Sequence, residues 1–528
     1  MCKEGNKKVV EKPGNVEEIL ESLGGFGKFQ FLILFLLLCM EIPCAFLIFV
    51  PVFIGVSPPE WLCDNETILT ADVCSCPGIV SPIDPDATIV TEWGLICGSS
   101  WVSDTIVSLQ MSGMLIGNIY ISQLSDWYGR RYCFLGITLQ MALGSILTAA
   151  SPNPYVYAFA RFLCGSSFSG FLSLNAIYSM EFLTPNWRPV ASAVSPVGVA
   201  IMILGLLGYL IRPWRSLVYA TCIPFIGIIF IFPFITESPR WLLRNNKIDE
   251  AYKVFARMAK TNGKEPVDFE TLRKIAEKER PFSDKAPEDV VVQRFSYLEF
   301  YRNPSLRKTT LCLQGIWFTW GLVYFGIGFN IKNLAGSPYL NMVYMGLMDS
   351  LAYPTSFFVN NKIGRRKSMV AFMTLVAFFL VGIAIVQLTL DRAESGVIIA
   401  ALCFLAKYGT AGARSAARTL TGESYPTAIR VMGIGFSGGT ASLGGALAPQ
   451  LAYLGTYWPS VPFFGFAIIS VGGSLVSFLL AETNGRPLEE EVKEDKIKIK
   501  LGQDIVHVMS PSLSSVITVE DSEGSKSI

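Results

Sequence analysis

Long apolar runs punctuate this chain. A helix needs about 20 apolar residues to cross the hydrocarbon core of a bilayer, and runs of that size recur along its length. They fall at roughly 29–53, 101–122, 132–150, 155–177, 190–211, 216–235, 309–329, 340–359, 369–389, 396–418, 431–454 and 460–481. The pattern predicts twelve membrane helices. The run at 29–53 is too long for a cleaved signal peptide and lacks a small-residue cleavage site. It follows a polar leader, 1–28. The polar stretches predict a first loop at 54–100 and a linker at 236–308 with amphipathic patterns over Ile248 to Met258 and Phe269 to Glu279. The tail, 482–528, is charged at first and Ser-rich after Ser510, and is expected to be largely disordered. The expected organisation is therefore leader, six-helix bundle (29–235), linker, six-helix bundle (309–481) and tail.

Composition agrees. Hydrophobic residues make up 51% of the 528 and charged residues 16%, against about 25% charge in a soluble chain. Mean hydropathy is +0.44. A net charge of +1 offers no basic excess for nucleic acid. The single histidine, His507, lies near the C-terminus, which argues against a His-based zinc site or catalytic triad in the body of the chain. No nucleophile–base pair, metal set or nucleotide motif stands out, so neither an enzyme nor an ATP-driven pump is expected, and no cofactor or metal. The expected partners are the lipid bilayer and a small solute.

Lys and Arg set the orientation. Residues 54–100 contain neither, whereas Arg130, Arg131, Arg188, the segment 236–308 and Lys362 to Lys367 lie on the opposite side. The first loop is thus expected outside and both termini in the cytoplasm, with Arg212 and Arg215 as exceptions. The loop also carries the sequon Asn65-Glu66-Thr67 and Cys63, Cys74, Cys76 and Cys97. Four cysteines on an oxidising face predict two disulfides. Cys74 and Cys76 are too close for a comfortable mutual bridge, so each is expected to pair elsewhere.

The chain repeats itself at an offset of about 240 residues, as duplicated transporter halves do. Ser125-Asp126-Trp127-Tyr128-Gly129-Arg130-Arg131 is echoed by Asn361-Lys362-Ile363-Gly364-Arg365-Arg366-Lys367. Glu181 and Arg188, seven apart, are echoed by Glu423 and Arg430. Glu237-Ser238-Pro239-Arg240 is echoed by Glu482-Thr483-Asn484-Gly485-Arg486.

These residues resemble the major facilitator superfamily and, within it, the organic ion transporters for cations, anions and carnitine. The resemblance runs from about Gly24 to Leu488. It is carried by Thr91-Glu92-Trp93-Gly94-Leu95-Ile96-Cys97, Glu237-Ser238-Pro239-Arg240-Trp241-Leu242 and Glu423-Ser424-Tyr425-Pro426-Thr427 with Arg430. Trp317-Phe318, Tyr324 and Gly326 fit the same pattern. Sugar porters share the arginine-rich turns and the Glu-Ser-Pro-Arg signature but lack so large a cysteine-bearing loop. Two positions depart from the family: Ser122 replaces its usual Gly and Trp127 its usual Arg. The resemblance implies an all-α membrane fold, two six-helix bundles alternating access to a central site.

The terminal-side charges (Asp126, Arg130, Arg131, Glu181, Arg188, Glu237, Arg240, Arg365, Glu423 and Arg430) suit a network that breaks as that side opens. Asp126 is expected to meet helix N-termini or arginines of the opposite half. The alternative is that these charges only fix topology and reach for headgroups.

Charges inside spans cost about 2.5–3.5 kcal/mol at a helix centre, so they mark a cavity or a partner. Here they are Glu41, Arg161, Asp349, Lys407, Arg414 and Arg418. Arg161 reads as structural. Lys407 and Asp349 stand where the resemblance implies a basic and an acidic residue. Arg414 and Arg418, four apart on one helix face, repel each other unless an anion joins them. They suit an organic carboxylate or sulfate, or else pair with Glu423 or Asp349. The position that in relatives carries Asp for cations or Arg for anions is here the neutral Ser442, within the Gly-rich stretch Gly433 to Gly445. Trp317, Trp320, Tyr324, Phe325, Tyr344 and Tyr353 are the aromatic candidates for a pocket wall or for packing. The sequence thus points to an organic ion carrier, inclined to anions or zwitterions by its paired arginines. A cation carrier, a sugar porter and a non-transporting sensor of the same fold stand as alternatives.

Overall fold

The computed structural model describes residues 14–70, 72–184, 187, 195–279, 299–390, 392–425, 429–455, 458, 460–484, 497–501 and 504–508. Among them, twelve helical segments answer the twelve apolar runs. The first six are α1 (Lys28–Ile54), α2 (Trp101–Tyr128), α3 (Arg130–Ala149), α4 (Pro154–Glu181), α5 (Val197–Leu210) and α6 (Trp214–Ile231). The second six are α7 (Pro304–Phe329), α8 (Pro338–Ile363), α9 (Arg365–Thr389), α10 (Arg392–Ser424), α11 (Arg430–Leu454) and α12 (Val461–Phe478). Seven of these segments are long and apolar enough to cross a membrane by length and composition alone. Four of the other five are α2, α5, α8 and α11. These four pack across the two halves, α2 on α11 and α5 on α8. In α2, α8 and α11, small residues such as Gly117, Gly346 and Gly444 meet the backbone of neighbouring helices, where close approach outweighs hydrophobicity, whereas α5 is apolar throughout and falls short only in length, at 14 residues.

Helix α1 is broken twice, near Met40 and Val50. Pro51 has no N–H to offer the carbonyl of Leu47, and the Arg161 guanidinium donates to that oxygen instead, at 2.5 Å. Arg161 also donates to the Gln110 side chain, whose amide in turn donates to Ile48 O at 3.2 Å. Arg161 is therefore a structural residue, fully engaged in repairing a proline break.

The first loop adds the sheet that an all-α description omits. Strand β1 (Glu60–Cys63) pairs antiparallel with β2 (Glu66–Leu69) and β3 (Val80–Pro82). Asp64 and Asn65 turn the β1–β2 hairpin in the left-handed region, at φ 48° and 72°. The sequon asparagine thus sits at a hairpin tip. Cys63 joins Cys76 and Cys74 joins Cys97. Glu92 pairs with Arg215 and accepts from Trp214 Nε1 at 2.7 Å. That ion pair accounts for one exception to the charge rule: Arg215 is neutralised by the loop itself.

We call this side the loop end and the opposite side the terminal end. At the terminal end, linker helices Pro239–Arg244, Ile248–Asn262 and Phe269–Glu279 lie against the first half. The Asn262 side chain accepts from Phe29 N at 2.9 Å and donates to Leu23 O and Gln30 Oε1, so it caps the start of α1. In the tail, expected to be disordered, β4 (Ile497–Leu501) and β5 (Asp504–Val508) form an antiparallel hairpin.

The described ring contacts and side-chain hydrogen bonds that cross between the halves lie toward the loop end. Phe53 stacks on Tyr339 at 5.3 Å, Tyr209 meets Tyr339 edge-on, and Phe49 packs on Phe329 and Tyr324. Gln450 donates to Ser108 and Thr105 nearby. None of the described ion pairs at the terminal end joins one half to the other. The molecule is sealed at the loop end.

Candidate substrate cleft and charge latches

The repeated motifs build two matching latches. Between α2 and α3 the chain turns at Gly129 (φ 98°), and between α8 and α9 at Gly364 (φ 100°). A Cβ at either glycine would strike a carboxylate: Glu237 at 2.5 Å in the first half, Glu482 at 2.6 Å in the second. Each carboxylate accepts the freed N–H groups of the helix that starts there. Glu237 Oε1 takes Arg130 N at 2.9 Å and Arg131 N at 3.2 Å. Glu482 Oε1 takes Arg365 N at 2.8 Å and Arg366 N at 3.4 Å. The arginine side chains complete the latches. Arg130 pairs with Asp126 at 2.6 Å and Glu181 at 3.1 Å, and Arg365 with Glu423 at 3.1 Å.

This geometry corrects one expectation. Asp126 bonds to Arg130 of its own half, one helical turn away, rather than to the opposite half. Glu181 and Glu423 are gripped by the turn arginines Arg130 and Arg365. Arg188 lies outside the described residues, and Arg430 Nε donates to Tyr425 O at 3.3 Å. Arg131 lays its guanidinium over Phe232 at 4.7 Å, and Arg240 pairs with Glu17 of the leader at 3.3 Å.

The two latch carboxyls sit in different surroundings. Burial pushes the Glu237 carboxyl up, outweighing the N–H groups of Ser238, Arg131 and Arg130. Burial also raises Glu482, but there the N–H groups of Arg365, Asn484, Arg366 and Lys367 win and hold it below its ordinary value.

Deeper in, α7, α8 and α10 bring their polar residues to one place. Lys407, Arg414 and Arg418 recur at i, i+7 and i+11, within about 40° of one another around α10. Lys407 and Asp349 form a fully buried ion pair at 3.7 Å. Tyr324 Oη donates to Asp349 Oδ2 at 2.9 Å, and the Lys407 ammonium lies 3.1 Å from the Tyr324 ring centroid. This pair is self-neutralised. Arg414 donates to Tyr353 Oη at 3.0 Å and lies over Trp320 at 5.4 Å. Trp320 stacks on Tyr324 at 4.9 Å and is pinned by its indole N–H to Thr410 O.

Arg418 is half-buried and, among the described residues, makes no hydrogen bond and no ion pair within 4.0 Å. Its electrostatic partners are Arg414, Glu41 and Tyr353. Glu41 belongs to the other half, beside the first break in α1. It accepts from Asn175 Nδ2 at 2.9 Å and from Ser195 Oγ at 3.4 Å. Across the boundary between the halves, two guanidiniums are therefore coupled electrostatically to one carboxylate. Both lie below the Phe49–Phe329 seal, toward the terminal end.

Residues 70–494 match the family described as Sugar (and other) transporter. The chain belongs to that family. Solute carrier family 22 member 7 of Mus musculus is 32% identical, with 77% of this chain and 74% of the relative covered. An organic cation transporter protein of Drosophila melanogaster is 29% identical, with 77% and 73% covered. Among solved structures, the inward open conformation of the xylose transporter XylE from E. coli superposes with a TM-score of 0.61 at 14% identity, over 87% of this chain and 98% of that one. This last likeness shows the fold. The resemblance to organic ion transporters of the major facilitator superfamily thus holds over most of the chain.

Within this transporter-family member, some expected residues fall elsewhere. Tyr344 is 41% exposed and packs on Phe404, away from Asp349. Ser442 is buried, and its hydroxyl donates to Gly438 O of its own helix. Trp317 donates to Thr421 and supports Trp320 edge-on from behind. Glu41 carried a signal, as an acid inside a span, but its partners are ordinary polar residues, Asn175 on α4 and Ser195 just before α5. Tyr353 proved the better choice on α8, since it bonds Arg414 directly.

Proposed function

We propose that this protein carries small organic anions across the plasma membrane by alternating access, with the substrate held between the halves by Arg414 and Arg418. One observation carries the sign of the charge. Asp349 and Lys407 cancel, which leaves two guanidiniums against the single carboxylate of Glu41. An anionic group restores neutrality there, and guanidinium forks suit a carboxylate or sulfate. Trp320 and Tyr353, which fix Arg414, offer flat faces for an aromatic body. The relatives' names include both organic cation transporters and solute carriers, so the sign is argued from the cleft alone.

The loop with its disulfides, sequon and lack of Lys and Arg supports an outside location, with both termini in the cytoplasm. On that orientation the sealed end is external, and the state described here faces the cytoplasm. The deciding experiment is uptake of labelled benzoate, succinate, phenyl sulfate, tetraethylammonium and glucose into cells with the protein at their surface. Saturable uptake of at least one anion is expected, falling at least tenfold in Arg414→Gln/Arg418→Gln. Uptake of tetraethylammonium or glucose alone, unchanged by that double substitution, would refute the reading.

A further inference from the structure

Two guanidiniums on one helix face create a difficulty when no substrate is bound. An alternating-access carrier that moves solute in one net direction must return empty. The empty return closes the terminal end and strips water from whatever the cleft holds. Closing over Arg414 and Arg418 with no anion between them would bury two like charges four residues apart, a state that low-dielectric surroundings strongly disfavour. Arg414 has neutral partners in Tyr353 and Trp320, and Arg418 has no hydrogen-bond partner among the described residues. Asp349 is already committed to Lys407.

Glu41 is placed to solve this. It is the carboxylate of the opposite half whose charge acts on Arg418 and, next, on Arg414. It forms no ion pair with either in this open arrangement; the gap exceeds 4.0 Å. Its own half holds it by neutral donors only, Asn175 and Ser195. A carboxylate bound by neutral groups on one side and facing unpaired cations across a cleft is free to approach them when the halves close. It also stands beside the α1 break at Met40, where the helix has slack to shift.

We infer that Glu41 is a built-in surrogate for the substrate: when the cleft is empty, it takes the place of the transported anion at Arg418 and Arg414, and so permits the unloaded carrier to close and reorient. This inference rests on the anion reading above. A bound anion displaces Glu41 from the arginines by occupying them first. Removing the Glu41 charge should therefore leave loaded reorientation intact and block the empty return, turning a net transporter into an obligatory exchanger.

The test uses the full-length protein in proteoliposomes preloaded with whichever labelled anion the wild type carries. Efflux is timed into buffer without anion (net efflux) and into buffer with saturating unlabelled anion (exchange). In Glu41→Gln, net efflux is expected to fall at least tenfold while exchange stays within threefold of wild type. Glu41→Asp keeps the charge and should retain net efflux. In Glu41→Gln/Arg418→Gln one cation is removed together with the carboxylate, and the ratio of net efflux to exchange, whatever the absolute rate of either, should return to within threefold of the wild-type ratio. This ratio also serves if the single variant is not recovered folded. If Glu41→Gln lowers net efflux and exchange together, or changes neither, or if the folded double variant keeps a ratio at least tenfold below wild type, the inference is overturned. A wild type that carries no anion in either mode overturns the anion reading instead, and this inference with it.

Discussion

A carboxylate that receives the free N–H groups of a helix start can be held on either side of its ordinary pKa, depending on whether burial or donation prevails. Glu237 and Glu482 do the same job in the two halves and fall on opposite sides. For Glu482 the folded value lies below the ordinary 4.5. Its contribution to stability is thus fully present above 4.5 and is lost as pH falls through the lower folded value. Replacing Glu482 by Gln should lower the thermal midpoint of the purified protein at pH 7, by an amount matching about 0.5–2 kcal/mol for a lost helix cap. The gap between wild type and Glu482→Gln should then shrink below pH 4.5. A midpoint difference that is constant from pH 7 to pH 3.5 would contradict this. Glu237 behaves in reverse, because its raised value means the proton is held more tightly in the folded state. Its contribution is present at low pH and declines as pH rises through its folded value. At this scale the sequence was only partly legible. Lys407, Arg414 and Arg418 could be aligned by counting along one helix. Tyr344 could have been set aside the same way: it lies five residues from Asp349, about 140° around α8, whereas Tyr353 lies four away on the same face. The role of Glu41 could not be counted out, because it depends on α4 and the segment before α5 reaching it from elsewhere in the fold.

At the scale of elements, helix faces decide more than hydropathy does. The spans were legible because lipid demands apolar length, and the linker helices because their apolar positions recur at helical spacing. The pairing of helices was not, since it rests on where small residues meet. Gly113 and Gly117 of α2 lie against the backbone of α4, where a Cβ at Gly117 would come within 1.9 Å of Ser166 O. Across α7 and α11, a Cβ at Gly321 would come within 2.0 Å of Ala441 O. Backbone cannot step aside as a side chain can. Gly117→Ala should therefore destabilise the protein by about 1–3 kcal/mol, read as a lower midpoint in a fluorescence thermal-stability assay. Gly136 of α3 has open space around it. Gly136→Ala should leave the midpoint unchanged or slightly higher, and equal losses for the two variants would count against the packing argument. The prolines of α1 make a similar point: the break at Pro51 was visible as a residue, but its repair by Arg161 required α4 to be in place.

For the whole molecule, the asymmetry of its two ends is the main result. Aromatic packing joins the halves at the loop end, and the ion-pair latches at the terminal end stay within each half. The duplication was plain from three matched motifs, yet the motifs say nothing about which half a charge will choose. Only the Gly129 and Gly364 turns, which fold each arginine back toward its own helix bundle, settle that. If the seal must part during transport, tying Phe53→Cys to Tyr339→Cys with a short bis-methanethiosulfonate linker should arrest uptake at least tenfold, with recovery on reduction. Undiminished uptake in the linked protein would mean the loop end does not open there.

The cap that Asn262 places on α1 has a consequence for how the chain is made. The start of the first helix finds its acceptor 233 residues downstream, in the last turn of a linker helix. During synthesis, α1 enters the bilayer with that end open, and it stays open until all six helices of the first half have left the ribosome. The closing of that cap is thus a timestamp. It can form only once the first bundle is complete in sequence, and it is available before α7 exists. A substitution at Asn262 should act less on the finished carrier than on the interval in which a half-made one is exposed to quality control.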